Sequence, residues 1–214
     1  PLETAHETAH RLGGTVNDVV LTAVGWGLRS LFASRDEAVD DRITALVPVS
    51  TRDAGLEDER GNHVAALVVD LPVSEPDLAA AFRSTAAQIH ELKRHHHAEG
   101  SDLLLGAANH LPPIAVDFIT RMVSRQPFVN VVVTNLPGPP VPIEFMGGTV
   151  DTAIPIVPLG GNLPLGIAVL SYSGELTLAF HADADSCPDV EIAARATQDA
   201  LVQLAEIAGL DTAT

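Results

Sequence analysis

The sequence is poor in basic residues, in cysteine and in long apolar runs, and each shortage excludes a class of protein. It has 12 basic against 28 acidic residues and a net charge of −16, which argues against binding to nucleic acid or anionic lipid but not to neutral lipid. The single cysteine, Cys187, excludes an internal disulfide and fits a reducing compartment. Since no apolar run reaches the ~18 residues of a membrane span, we expect no transmembrane segment, and we find no signal peptide. Because the chain opens on Pro1, we expect a fragment or a processed product.

Five segments carry apolar residues at the spacing of a helix face. These segments are 2–12, 16–31, 78–92, 103–123 and 190–208. Gly13-Gly14 should end the first helix, and Thr15 and Asp18 have the spacing of a capping box at the start of the second. The helical pattern breaks over residues 95–101, and Pro112-Pro113 divides the fourth segment.

Other segments are rich in β-branched residues and predict strands. They are 43–49, 62–71, 129–133, one or two short strands within 144–156, and a hairpin of 166–172 and 175–181. Ser173-Gly174 closes the hairpin, and residues 52–61 and 158–164 are loops. Strands and helices are interspersed, and no linker-like tract divides the chain. We therefore expect a single domain over 1–214, an α/β fold of two layers in which helices cover a mixed sheet.

The segment 128–140 is the strongest candidate for a functional site. The run 129–133 predicts a strand buried on both faces, since its residues are β-branched and nearly continuous. Thr134 and Asn135 should follow at the strand's end, because Pro137-Gly138-Pro139-Pro140 cannot continue a ladder. A central strand that presents polar side chains beside a rigid loop is a common way to build a site. The alternative is a buried strand with a polar turn.

Four further polar residues have both a functional and a structural interpretation. Asp18 closes the capping box, and with Asn17 it could also fix a loop beside a site. Arg52 follows a predicted strand and could bind a carboxylate or phosphate, or form a surface ion pair. Asn62 could line a site or serve as a turn amide after Gly61.

Two histidine clusters raise the question of metal binding. His6-Glu7-Thr8-Ala9-His10 matches H-E-x-x-H, which on a helix places two imidazoles one turn apart with a glutamate between them. A zinc site also needs a third protein ligand, and none is evident downstream, so we expect no metal. His95, His96 and His97 are consecutive and would point in different directions from a helix. A solvated helix end is the better interpretation of that cluster.

Five segments, taken in order, resemble the C-terminal half of the bacterial wax ester synthase/diacylglycerol acyltransferase family. They are GGTVNDVVLTAV, ALVPVSTR, the pair Gly61-Asn62, VNVVVTNLPGPP and LGIAVLSYSGELTLAFHAD. The resemblance extends over nearly all of the chain and is weakest over 95–127. It implies the fold of the CoA-dependent acyltransferases of the chloramphenicol acetyltransferase type, in which two similar α/β halves enclose a tunnel for acyl-CoA and acceptor.

The resemblance also implies which residues take part. The family's catalytic motif, H-H-x-x-x-D-G, lies in the N-terminal half, where its second histidine takes the proton of the acceptor hydroxyl. This chain lacks the motif, since His96-His97 is followed by Ala98-Glu99-Gly100-Ser101-Asp102. Asn17-Asp18 matches the family's Asn-Asp motif, which implies support near the site. A Ser or Thr from this half stabilises the oxyanion in the wider superfamily, and Thr134 is the candidate by its position.

The resemblance therefore implies half of an acyl-CoA-dependent O-acyltransferase. With an N-terminal half carrying H-H-x-x-x-D-G, in the same polypeptide or a separate chain, it would esterify diacylglycerol or a long-chain alcohol. Acyl-CoA would be a substrate, with no cofactor, and this chain alone should be inactive. The expected location is the cytoplasm or the periphery of membranes or lipid droplets. Two alternatives are a non-catalytic lipid-binding or scaffold domain of this fold and a zinc protein that uses His6 and His10.

Overall fold

A computed structural model describes residues 1–38, 42–50, 64–99 and 128–211 of the chain. The helices of these ranges are α1 (Leu2–Leu12), α2 (Val16–Ser34), α3 (Leu78–Glu99) and α4 (Val190–Ile207). The strands are β1 (Ile43–Ser50), β2 (Val64–Leu71), β3 (Val131–Pro137), β4 (Glu144–Phe145), β5 (Gly148–Thr149), β6 (Leu165–Tyr172) and β7 (Glu175–Ala182). The predicted helix over 103–123, Arg52 and Asn62 lie outside the described residues.

Five of the strands form one mixed sheet in the order β2-β1-β3-β6-β7. The central pairs, β1 with β3 and β3 with β6, are parallel, and the outer pairs are antiparallel. β4 and β5 form a separate short hairpin. This confirms the α/β fold with a mixed sheet.

The helices cover one face of the sheet. α2 buries Val20, Val24 and Leu28 against strand residues such as Val47 and Val133. On its other side, α2 packs through a second apolar cluster that includes Phe82 of α3 and Leu204 of α4. α3 and α4 also reach the core beside the sheet, through Ile89 and Ala193, so helices and sheet form the two predicted layers.

Local signals in the sequence placed several boundaries correctly. Gly13 ends α1 in the left-handed conformation (φ 77°), and Thr15 and Asp18 form a complete capping box at the start of α2. Ser173 and Gly174 close the β6–β7 hairpin with positive φ angles of 48° and 86°, as in a type I′ turn. All three are short-range features, so the residues themselves encode them.

The prediction that the helical pattern breaks at residues 95–101 was wrong for the described part. α3 continues to Glu99. Lysine, arginine and histidine do not end a helix as glycine or proline do, so losing the apolar face did not end α3.

The prediction for the central strand was wrong in its length and burial. β3 runs to Pro137, because β6 supplies a pairing partner for each residue from Val131 to Pro137. On its other side β3 pairs with β1 only at Val131 and Val132 within the described ranges. Pro137 is tolerated because no described strand pairs with the other edge of β3 at that residue. Val131 and Val133 are buried under the helices, but Leu136 on the other face is 58% exposed, so the strand is not buried on both faces along its length.

Candidate functional site

Thr134 lies within β3, on the sheet face opposite the one that the described helices cover. Side chains alternate along a strand, so Thr134 shares that face with Val132 and Leu136. Directly beside it on β6 is Ala168, and beyond that on β7 is Ala179. The side chain is half-buried, and its hydroxyl forms no hydrogen bond with any part of the chain that the structure describes. The hydroxyl is therefore available to a group from outside these residues.

Asn135 faces the opposite way, towards the helix layer, and is half-buried near the strand's end. The expectation that both polar side chains follow the strand was wrong, because the ladder with β6 extends past them. Two neighbours in a strand point to opposite faces. The structure therefore places Thr134 on the open face and Asn135 beneath the sheet, so they do not form one cluster.

The loop after β3 is held rigidly, as the Pro-Gly-Pro-Pro sequence predicts. Gly138 N donates to the Ser171 carbonyl oxygen at 2.9 Å and to Ser171 Oγ at 3.2 Å. Ser173 N donates to the Pro139 carbonyl at 3.0 Å. A Cβ at position 138 would overlap the Ser171 carbonyl, so glycine is required for this approach. These bonds fix the end of β3, and with it the position of Thr134.

Asp18 is buried (4% exposed) and belongs to the capping box. Its Oδ2 accepts hydrogen bonds from Thr15 N at 2.7 Å and Thr15 Oγ1 at 2.8 Å. Gly14 and Phe82 close the space around this carboxylate, since a Cβ on Gly14 would lie 3.0 Å from Oδ2 and 2.7 Å from the Phe82 ring. Within the described ranges, Oδ1 has no hydrogen-bond partner. Asn17, on the first turn, is half-buried.

The start of α2 and the end of β3 lie at the same end of the sheet. At the opposite end of α2, Arg35 donates two hydrogen bonds to Asp189, which follows β7. The last residue of β7, Ala182, pairs with Leu165, the first of β6. α2 therefore runs antiparallel to β3 and β6. The Asn17-Asp18 motif is thus brought to the end of the sheet that holds Thr134 and Asn135.

The Arg35–Asp189 pair is also the main electrostatic feature of this helix layer. The hydrogen bond from Arg35 lowers the pKa of the Asp189 carboxyl, and the same bond raises the pKa of the guanidinium. Arg35 also donates to Cys187 Sγ at 3.5 Å. The pair lies at the far end of α2 from the Asn-Asp motif, so its role is structural: it joins the end of α2 to the start of α4.

Nothing in the sequence pattern indicated the role of Tyr172, the chain's only tyrosine. Its buried hydroxyl donates to the Val150 carbonyl at 2.7 Å and accepts from Ile143 N at 2.8 Å. Val150 N donates to the Ile143 carbonyl at 2.9 Å, which completes a ring of bonds at the base of the β4–β5 hairpin. Tyr172 thereby fixes a segment that crosses the open face of the sheet.

The H-E-x-x-H segment lies on α1 with both imidazoles exposed. Its glutamate, Glu7, accepts a 2.7 Å hydrogen bond from Arg11. Across the described ranges, no three histidine, cysteine or acidic side chains come together as a metal site. The absence of zinc from the protein stays a prediction. None of the helices in those ranges has the length and apolar character needed to cross a bilayer.

Comparison with solved structures identifies the fold class. Wax ester synthase/diacylglycerol acyltransferase from Marinobacter aquaeolei VT8 matches with a TM-score of 0.73 at 18% identity, covering 97% of this chain and 47% of that one. The first condensation domain of the CDA synthetase matches with a TM-score of 0.53 at 18% identity, covering 100% and 45%. The fold is therefore the one shared by these acyltransferases and condensation domains.

Sequence comparison identifies the family. A family model for the WS/DGAT C-terminal domain matches residues 60–205. A probable diacylglycerol O-acyltransferase of Mycobacterium tuberculosis is 31% identical over 212 residues, which cover 97% of this chain and 45% of that protein. The chain belongs to the WS/DGAT C-terminal domain family, which confirms the resemblance of its five segments. It spans a little under half the length of the curated relatives it matches.

Proposed function

We propose that this chain is the C-terminal half of an O-acyltransferase that esterifies diacylglycerol or a long-chain alcohol from acyl-CoA. The observation that carries this proposal is the 31% identity, over 97% of the chain, to a probable diacylglycerol O-acyltransferase. Acyl-CoA is a substrate, and no further cofactor is involved. The reaction takes place in the cytoplasm or at the periphery of membranes or lipid droplets, where an apolar acceptor is found.

The partner is an N-terminal half with the H-H-x-x-x-D-G motif, in the same polypeptide or as a separate chain. Two observations support it. The curated relative is more than twice as long as the matched segment, since 212 residues are 45% of it. In this chain, His96-His97 lacks the Asp-Gly spacing of the motif. The general base must therefore come from the other half.

Thr134 is the residue of this chain that we assign to the chemistry. The acceptor oxygen attacks the thioester carbonyl carbon while the histidine of the other half takes its proton. The carbonyl oxygen becomes an oxyanion, and Thr134 Oγ1–H donates a hydrogen bond to it. When the intermediate collapses, the C–S bond breaks, and CoA leaves as a thiol with the proton returned by the histidine. The unengaged hydroxyl and the rigid end of β3 support this role.

The remaining candidates are assigned to support of the site. Asn17 and Asp18 fix the start of α2 at the end of the sheet where Thr134 lies, and Asn135 lies beneath that end. Arg52 and Asn62 are proposed to contribute to substrate binding from the same half. None of these residues transfers a proton in the proposed reaction.

The test compares the chain 1–214 with a longer polypeptide in which it is joined to its proposed N-terminal half. CoA release from acyl-CoA is measured with diacylglycerol and with hexadecanol as acceptors. We expect turnover only from the longer protein, and its loss when the second histidine of H-H-x-x-x-D-G is replaced by alanine. Turnover by 1–214 above a heat-killed control would contradict the proposal. Lipid binding without turnover by the longer protein would favour the non-catalytic alternative.

A further inference from the structure

The β4–β5 hairpin carries a group of exposed apolar side chains. Every residue from 141 to 149 is exposed. Phe145 and Met146, which form the hairpin tip, are 66% and 91% exposed, and Val141 and Ile143 before them are 64% and 44% exposed. A contiguous group of large apolar side chains on a protein surface marks a site of contact with another apolar surface.

The turn at the hairpin tip holds the Met146 side chain in solvent. Met146 and Gly147 have positive φ angles of 52° and 82°, and Phe145 and Gly148 pair on either side of them, as in a two-residue type I′ turn. Asparagine, aspartate and glycine favour the first central position of such a turn. A long apolar side chain is disfavoured there by the backbone, and it gains no burial in return. Stability of the described fold therefore does not account for Met146.

The base of the hairpin is held firmly. The Tyr172 hydroxyl bonds to both Ile143 N and the Val150 carbonyl, and Val150 N donates to the Ile143 carbonyl. In an apolar phase, backbone N–H and C=O groups must find their partners within the protein. Because the groups that face across the hairpin are paired with each other, the tip can enter such a phase to a shallow depth without leaving them unpaired.

The charge around the hairpin tip selects the kind of apolar surface. Residues 139–150 contain one charged side chain, that of Glu144, and no lysine or arginine. Asp151 follows, and the chain as a whole has a net charge of −16. Surfaces of anionic lipid attract basic side chains and repel acidic ones. The hairpin tip and its charge are therefore compatible with a lipid surface that has no net charge.

We propose that Phe145 and Met146 insert into a lipid surface without net charge and hold the enzyme there. This deepens the proposed function and rests on it, since diacylglycerol and long-chain alcohols are apolar and concentrate in such a phase. The hairpin begins at Glu144, a few residues after β3 ends at Pro137. Docking through the tip therefore brings the end of the sheet that holds Thr134 close to the lipid that contains the acceptor.

Fluorescence of Phe145→Trp in the longer polypeptide shows whether the tip meets lipid or protein. The spectrum of the parent is subtracted, which removes the emission of Trp26 and of any tryptophan in the other half. Without lipid, we expect the introduced indole to emit as a hydrated indole does. Droplets of triolein coated with phosphatidylcholine should move its emission to shorter wavelength. Emission at short wavelength before lipid is added would overturn the proposal, because protein would then already cover the tip. Emission that the droplets leave unchanged would also overturn it.

Flotation with the same droplets measures the affinity for lipid. Replacing Phe145 and Met146 by aspartate should weaken binding of the longer polypeptide by at least ~10²-fold, since two large apolar side chains no longer leave water. Val202→Asp is the matched control, since Val202 is 42% exposed on α4, and it should keep the parent's affinity. The melting temperatures of all three proteins should agree, because the replaced side chains are exposed. Undiminished binding by the double variant would refute the proposal, and so would binding that requires anionic phosphatidylglycerol in the coat.

Turnover separates docking from chemistry. With 1-hexanol, an acceptor that dissolves in water, the double variant should keep the parent's kcat. With diacylglycerol in the droplets, its rate should fall together with its binding. An equal loss of rate on both acceptors would overturn the proposal, because the tip would then serve the reaction site itself. Binding to droplets that depends on the tip, without turnover by the unmodified protein, would contradict only the proposed function.

Discussion

Thr134→Val is the change that most directly tests the proposed oxyanion donor. Valine has nearly the shape of threonine and replaces only the hydroxyl by a methyl group. The half-buried hydroxyl has no hydrogen bond with any described residue, and its neighbours on the open face include Val132, Leu136 and Ala168. The change therefore removes no bond of the described fold, and we expect the melting temperature to stay within about 2 °C of the parent's.

The effect on catalysis should be large by comparison. The loss of one oxyanion-hole donor typically lowers kcat by about 10²–10³-fold, which is about 2.7–4 kcal/mol of transition-state stabilisation. Because the oxyanion exists only after attack, KM should change little. Steady-state kinetics of the longer polypeptide, with acyl-CoA and a saturating acceptor, measures both constants.

Thr177→Val provides the matched control. Thr177 is half-buried on β7, faces the same side of the sheet as Thr134 and forms no hydrogen bond in the described ranges. Its replacement should leave kcat unchanged. If Thr134→Val keeps the parent's kcat, or if both variants lose the same activity, Thr134 is not the oxyanion donor and this half serves as a wall of the tunnel.

Four further predictions concern stability and metal content. Asp18→Ala should cost ~1–2 kcal/mol, because it removes the carboxylate half of the capping box, which accepts from Thr15 N and Oγ1. An unchanged melting temperature with lost activity would instead assign Asp18 a direct catalytic role. Gly27→Ala should cost about 1–3 kcal/mol of stability, since its Cβ would overlap the Thr197 hydroxyl and the Ala193 carbonyl where α2 crosses α4. A melting temperature at or above the parent's would show that the two helices move apart without loss of stability. The hydrogen bond from Arg35 lowers the folded-state pKa of Asp189, so the pair stabilises the fold at neutral pH, and this contribution is lost as the pH falls through that lowered pKa. Asp189→Asn should therefore lower the melting temperature at neutral pH, whereas in acid the melting temperatures of variant and parent should converge. A difference in melting temperature that does not change with pH would contradict this. Elemental analysis should find no stoichiometric zinc. The measurement uses a variant with His95, His96 and His97 replaced, so that adventitious metal on that cluster is removed. One equivalent of zinc that disappears in His10→Ala would establish the H-E-x-x-H site.

The sequence alone determined the features that depend on residues a few positions apart. The capping box of Thr15 and Asp18, the left-handed Gly13 and the Ser173-Gly174 turn all followed from local chemistry. Apolar periodicity gave the helices and most strands, and the five ordered segments gave the family. These signals are short-range or cumulative, so a single chain contains them in full.

The tertiary structure decided which edges and faces are covered. β3 reaches Pro137 because β6 pairs with it that far, and Thr134 lies half-buried on the face opposite the described helices. The sequence of 153–157 is apolar at every position, so no pattern could show that Ile154 and Ile156 point outwards. That direction comes from the contact of Val157 with Gly166 and from the bond of Tyr172 to Val150. Long-range contacts set these features, and hydrophobic periodicity does not record which neighbour a strand will meet.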